Sequence, residues 1–180
     1  MVAALVPTGG PASADSSGGV TPVLSTAAAT LETAWDTTCV ISDAAELRCW
    51  GSNFNGQLGQ GDIVDRGSQS SHMGSNLPPI NLGTGRTARS VAIGSGSVCA
   101  VLDDGGVKCW GRNDHGQLGL GDTASRGDGP GEMGDNLPAV DLGAGRTAVA
   151  VSVGLATTCA VLDDGSVKCW GENSSGQLGL

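Results

Sequence analysis

Apolar and polar positions alternate with a period of two at several places along this chain. Val149-Ala150-Val151-Ser152-Val153-Gly154 does so, as does Val91-Ala92-Ile93-Gly94, and each predicts a half-buried strand. Residues 159–163 and 167–170 form two further apolar runs on either side of Asp164-Gly165, the arrangement of a hairpin. Leu137-Pro138-Ala139-Val140-Asp141-Leu142 offers a fourth strand, with its proline near the start, where a missing N–H is tolerated. Pro22-Val23-Leu24 and residues 30–33 are candidates for the same parts earlier in the chain.

The pattern is a repeat. Cys-Ala-Val-Leu-Asp-Asp-Gly-Gly-Val-Lys-Cys-Trp-Gly at residues 99–111 returns at 159–171 with Ser166 as its one change, and a divergent copy stands at 39–51. The spacing is a constant 60 residues. Gly-Gln-Leu-Gly follows each copy, at 56–59, 116–119 and 176–179. Four short strands per repeat, punctuated by glycine turns, describe a β-propeller blade. The chain is therefore expected to be all-β, built from four-stranded antiparallel blades. Three repeats occupy about residues 20–59, 60–119 and 120–180. Residues 1–19, rich in Gly, Ser, Ala and Pro, read as a flexible lead or linker. Three blades do not close a ring, so further blades are expected from a longer chain or from self-association.

Composition narrows the function. The 31 glycines fall in phase with the repeat, which marks turns rather than disorder. A net charge of −9 argues against nucleic acid as a partner, because phosphate contacts rely on Lys and Arg. Nothing approaches the roughly 18 consecutive apolar residues of a membrane span. Residues 1–10 lack a basic residue and carry a short apolar run, so they do not read as a signal peptide.

All six cysteines lie in the repeat, as Cys-x9-Cys pairs. A three-residue turn at Asp103-Asp104-Gly105 would set Cys99 opposite Cys109, with Cα atoms about 4.5 Å apart, within disulfide range. A two-residue turn would leave the pair diagonal. Repeat symmetry then selects Cys39–Cys49, Cys99–Cys109 and Cys159–Cys169. Such bridges imply an oxidising compartment, and free buried thiols in a reducing one are the alternative. Zinc is disfavoured, since no histidine recurs with the cysteines.

Asp-Gly-x-Val-x-Cys-Trp-Gly-x-Asn-x-x-Gly-Gln-Leu-Gly stands at residues 104–119 and 164–179. It resembles the regulator of chromosome condensation repeat, over roughly residues 20–180. The resemblance implies a β-propeller, and the Cys-x9-Cys variant is similar to bacterial, exported members. Within such a frame, Trp50, Trp110 and Trp170 are expected to fill the space between blades. Gln57, Gln117 and Gln177 are expected to bond turn backbone. The first copy departs at Ala44-Ala45-Glu46, where the turn glycine is missing.

Other motifs are weaker. Residues 83–88 and 143–148 match Gly-x-Gly-x-x-Ala, but a strand rather than a helix follows, so these are turns and not a dinucleotide site. Arg126-Gly127-Asp128 resembles an adhesion tripeptide, yet its counterpart is Arg66-Gly67-Ser68. Asp122, Arg126, Asp128, Glu132 and Asp135 make residues 121–136 a candidate binding loop. Its carboxylates could hold calcium, though a solvated acidic loop is the simpler reading. His72 and His115 do not recur, and no nucleophile–base set is present. No catalytic residue, cofactor or metal site is expected. The reading is a non-enzymatic scaffold binding a protein partner outside the cytosol, at the cell surface, in the periplasm or in the medium. Its rivals are a cytoplasmic guanine-nucleotide exchange factor for a small GTPase, the activity the resemblance implies, and a calcium-stabilised adhesin.

Overall fold

A computed structural model describes residues 30–179, which form nine strands and three single turns of 3₁₀ helix. The expected lead at 1–19 and the strand at Pro22-Val23-Leu24 lie outside the described residues. The strands are β1 (Thr30–Ala34), β2 (Thr37–Ile41), β3 (Leu47–Gly51), β4 (Ala88–Ile93), β5 (Ser97–Leu102), β6 (Val107–Gly111), β7 (Ala148–Val153), β8 (Thr157–Leu162) and β9 (Val167–Gly171). They make three antiparallel meanders, β1-β2-β3, β4-β5-β6 and β7-β8-β9.

Each sheet has three strands where four were expected. Residues 137–142 run beside β6 but join it through one backbone bond, from Val140 N–H to the Val107 carbonyl at 2.8 Å. Ile80 N–H does the same to Leu47, at 2.7 Å. The physical reason is in the sequence. Pro78, Pro79 and Pro138 have no N–H to donate. Asn81 and Asp141 then accept the N–H of Gly83 and Gly143 in tight turns that lead the chain away from the sheet.

The sheets stack side by side. One apolar seam joins the first two, with Ile41, Leu47 and Leu58 against Val91, Val98 and Trp110. A second joins the middle and last, with Val101, Val107 and Leu118 against Ala148, Ala160 and Leu162. Glycine is required at one point of closest approach: a Cβ on Gly94 would run into the Gly154 carbonyl of the next sheet.

Candidate functional site

The hairpins adopt the three-residue register. Val101 pairs with Val107 and Cys99 with Cys109, and the other copies match. Cys39–Cys49, Cys99–Cys109 and Cys159–Cys169 are disulfides, each with Cα atoms 4.1 Å apart. Gly105 closes its turn at φ +80°. The first hairpin makes the same turn without glycine: Ala45 N–H bonds the Ser42 carbonyl at 2.8 Å, and Ala45 takes φ +58°. An alanine there carries about 1 kcal/mol of backbone strain.

The repeat's tryptophans tie neighbouring sheets together. Trp110 Nε1 donates to the Gln57 carbonyl at 3.0 Å, and Trp170 Nε1 to that of Gln117 at 2.9 Å. Trp50 lies over Gly67 of its own following loop. The Gln57, Gln117 and Gln177 side chains accept the N–H of Asn55, His115 and Ser175 in the turn just before them. Asn53, Asn113 and Asn173 were not singled out by sequence, yet each accepts an N–H five residues on, from Leu58, Leu118 and Leu178. Asn53 and Asn113 are fully buried and also donate to carbonyls of the next loop. Their invariance among the three copies was the available signal.

The five residues of the candidate binding loop are dispersed over internal contacts. Asp122 and Arg126 form an ion pair at 2.6 Å. Bonds from Ala124 N–H and from Arg126 hold the Asp122 carboxyl below its usual range. Glu132 accepts the N–H groups of Gly127 and Gly129, both at 2.9 Å. Burial, then the neighbouring Glu132, raises the Asp128 carboxyl above its usual range. Asp135 is bound by the Thr84 hydroxyl at 2.6 Å and by Thr84 N–H. The tripeptide at 126–128 is similarly engaged, since Gly127 accepts a bond from Gly61 N–H at 3.0 Å. Among the described residues, no three His, Cys, Asp or Glu side chains cluster as metal ligands.

The two ends of the stack differ. At one end lie the hairpin tips, where Arg86 pairs with Asp103 and Asp104, and Arg146 with Asp163 and Asp164. In the middle and last sheets this end repeats the same turn and the same ion pairs. At the other end are the turns between first and second strands, together with the segments that leave the third strands. Ser52, Arg112 and Glu172 N–H bond the carbonyls of Asp36, Gly96 and Ala156 there. Equivalent positions at this end are Trp35, Ser95 and Leu155, and again Phe54, Asp114 and Ser174. The repeat frame does not dictate these residues.

Trp35 and Phe54 are 77% and 68% exposed. They line a cavity of about 270 Å³ at the seam of the first two sheets, together with Asp36, Asn55, Ser95 and Arg112. Trp35 sits at φ +53°, a conformation costly for a bulky residue. The sequence signal for this pair was an aromatic at a turn position where the other copies have Ser or Leu, and Asp or Ser.

Models of the regulator of chromosome condensation (RCC1) repeat match residues 88–117 and 148–177, and residues 104–161. The ultraviolet-B receptor UVR8 of Arabidopsis thaliana is 35% identical over 137 residues, covering 75% of this chain and 27% of its own length. The X-linked retinitis pigmentosa GTPase regulator of Mus musculus is 33% identical over 146 residues, covering 79% and 13%. In structure, Prp20p of Saccharomyces cerevisiae superposes with a TM-score of 0.60 at 18% identity, over 84% of this chain and 34% of that one. Human WBSCR16 gives 0.59 at 20% identity, over 79% and 32%. The chain thus spans about a third or less of each of these proteins.

Proposed function

Because this chain belongs to the regulator of chromosome condensation repeat family, we propose that its blades serve as a non-enzymatic scaffold that binds a protein partner. The observation that carries this is the contrast between the two ends. The hairpin tips of the last two sheets carry the same turn and the same Arg–Asp ion pairs, whereas the named turn positions at the other end change residue in every copy and expose Trp35, Phe54 and Leu155. Large exposed apolar side chains on a rigid frame are the usual anchors of protein interfaces. Further blades, from a longer chain or another copy, complete the stack, since Val161 and Val167 stand exposed on the last sheet. Disulfides in every blade favour an oxidising compartment, so the scaffold works outside the cytosol.

A photo-crosslinking residue at Leu155 tests the binding role, with one at Ser166 on the opposite end as control. One defined adduct from Leu155, and none from Ser166, is the expected result in the native host. No adduct from either position, or equal ones from both, would overturn the reading. The second reading, regulation of a small GTPase, is favoured by the name of the mouse relative. Intact mass after alkylation separates the two: no additions before reduction and six after support an exported scaffold. Six additions to the unreduced native protein support a cytosolic regulator.

A further inference from the structure

We infer that the groove between the first two sheets receives a cationic side chain, arginine or lysine, from a basic segment of the partner. This rests on the binding role proposed above and specifies the chemistry of what is bound. The groove offers two exposed aromatic side chains, Trp35 and Phe54, on a cavity of about 270 Å³. The face of an aromatic ring attracts a cation, tryptophan most strongly. That space suits one long side chain rather than a folded element.

The polar lining gives the sign of the guest. Asp36 is exposed beside Trp35, and its carboxylate makes no hydrogen bond or ion pair among the described residues. Arg112 also lines the groove, but its guanidinium is engaged by Asp114 at 2.6 Å, so its charge is already answered. Among the described residues, Asp36 is thus the one carboxylate lining the groove, and it stands without a partner on a chain of net charge −9. An acidic segment would meet repulsion here. An apolar one would bury the Asp36 carboxylate without a partner, which is costly. A cation in the groove satisfies both features at once, with the aromatic faces and the Asp36 carboxylate each attracting it.

The turn itself supports a role beyond the fold. Its first position requires φ +53°, which glycine adopts freely, yet Trp35 occupies it. Retaining the largest side chain in that conformation does not help the blade. Trp35→Gly should therefore leave the fold as stable or more so, which separates binding from structure.

The test uses short fluorescent peptides that differ at fixed positions in carrying Arg, Gln or Glu, titrated against the whole chain. The Arg peptide should bind at least about tenfold more tightly than the Gln peptide, and the Glu peptide most weakly. Trp35→Gly and Phe54→Ser should each abolish that preference while the thermal midpoint holds or rises, and Asp36→Asn should reduce it. Equal binding of the Arg and Gln peptides, or no binding of either, would sink the inference. So would an Arg preference that survives the Trp35→Gly, Phe54→Ser double variant, because that is diffuse attraction to an acidic surface. If the preference fails while the Leu155 crosslink persists, the cation groove falls and the scaffold stands. If the crosslink fails as well, both fall.

Discussion

Residues 99–111 of the middle hairpin and 159–171 of the last are the same peptide apart from Gly106 and Ser166, yet one face of each meets different surroundings. Val101 and Val107 are 1% and 0% exposed, whereas Val161 and Val167 are 41% and 60%. Lys108 is 8% exposed, and its Nζ donates to the carbonyls of Leu82 at 2.9 Å and Gly134 at 2.7 Å. It clamps the loop before its sheet to the loop after it, and burial holds its pKa below the usual lysine value. Lys168, the same residue one repeat on, is exposed. Burial in this architecture is thus conferred by the neighbouring sheet, not by the hairpin's own sequence.

Substitutions at equivalent positions measure how far that difference extends. The largest contrast is Val107→Asp against Val167→Asp in this 180-residue chain. The first leaves an unpaired buried charge and should cost about 3–5 kcal/mol, the second no more than about 0.5 kcal/mol. Urea titration measures both, and equal losses would mean that the last sheet is covered in solution. Lys108→Met strips two carbonyls of a charged donor and should cost about 1.5–3 kcal/mol, whereas Lys168→Met should change little.

Glycine positions give the next contrast. Gly105→Ala and Gly165→Ala each introduce strain of about 1 kcal/mol at positive φ. At Gly105 the new Cβ would also stand 2.6 Å from the Thr147 Cβ, while at Gly165 it meets nothing within 4 Å. Gly105→Ala should therefore be the more damaging in thermal melts. Ala45→Gly should raise stability by about 1 kcal/mol, by relieving the strained first hairpin.

The smallest effect separates the two long loops by pH. Asp128 has a raised pKa, so its ionisation opposes folding. The stability it allows is full below the normal carboxylate pKa and is lost as pH rises through the raised value. Asp62, in the other loop, is lowered chiefly by the Arg66 side chain, so its contribution is present above the normal pKa and is lost as the medium is acidified. Asp128→Ser, which copies Ser68, should melt slightly higher than the parent at neutral pH, and the gap should close towards pH 3 (a value below the ordinary carboxylate range).

Much of the frame was legible because hairpin chemistry is local. Asp103-Asp104-Gly105 sets the register, and the register sets the disulfide. The shortened fourth strand was harder, because alternation in Leu137-Pro138-Ala139-Val140 looks the same whether one backbone bond forms or several. The acidic loop was opaque for a different reason. Charge in the sequence does not say whether a carboxylate faces water or, like Glu132, accepts two N–H groups of its own loop. Trp35 and Phe54 were visible as aromatics out of phase with the repeat, but their shared groove depends on how two sheets meet.

The bonds from Trp110 and Trp170 to the glutamine carbonyl of the sheet before each also bear on how such a chain can grow. Both instances span 53 residues, less than one repeat, so neither reaches past an adjacent unit. A duplication or loss of one repeat's worth of coding sequence, in phase, would recreate the same junction on either side of the change. Because donor and acceptor lie on opposite flanks of a unit, the new copy can enter in one orientation alone. Such lineages can lengthen by unequal recombination without reinventing an interface, while the turn residues of the variable end remain free to diverge.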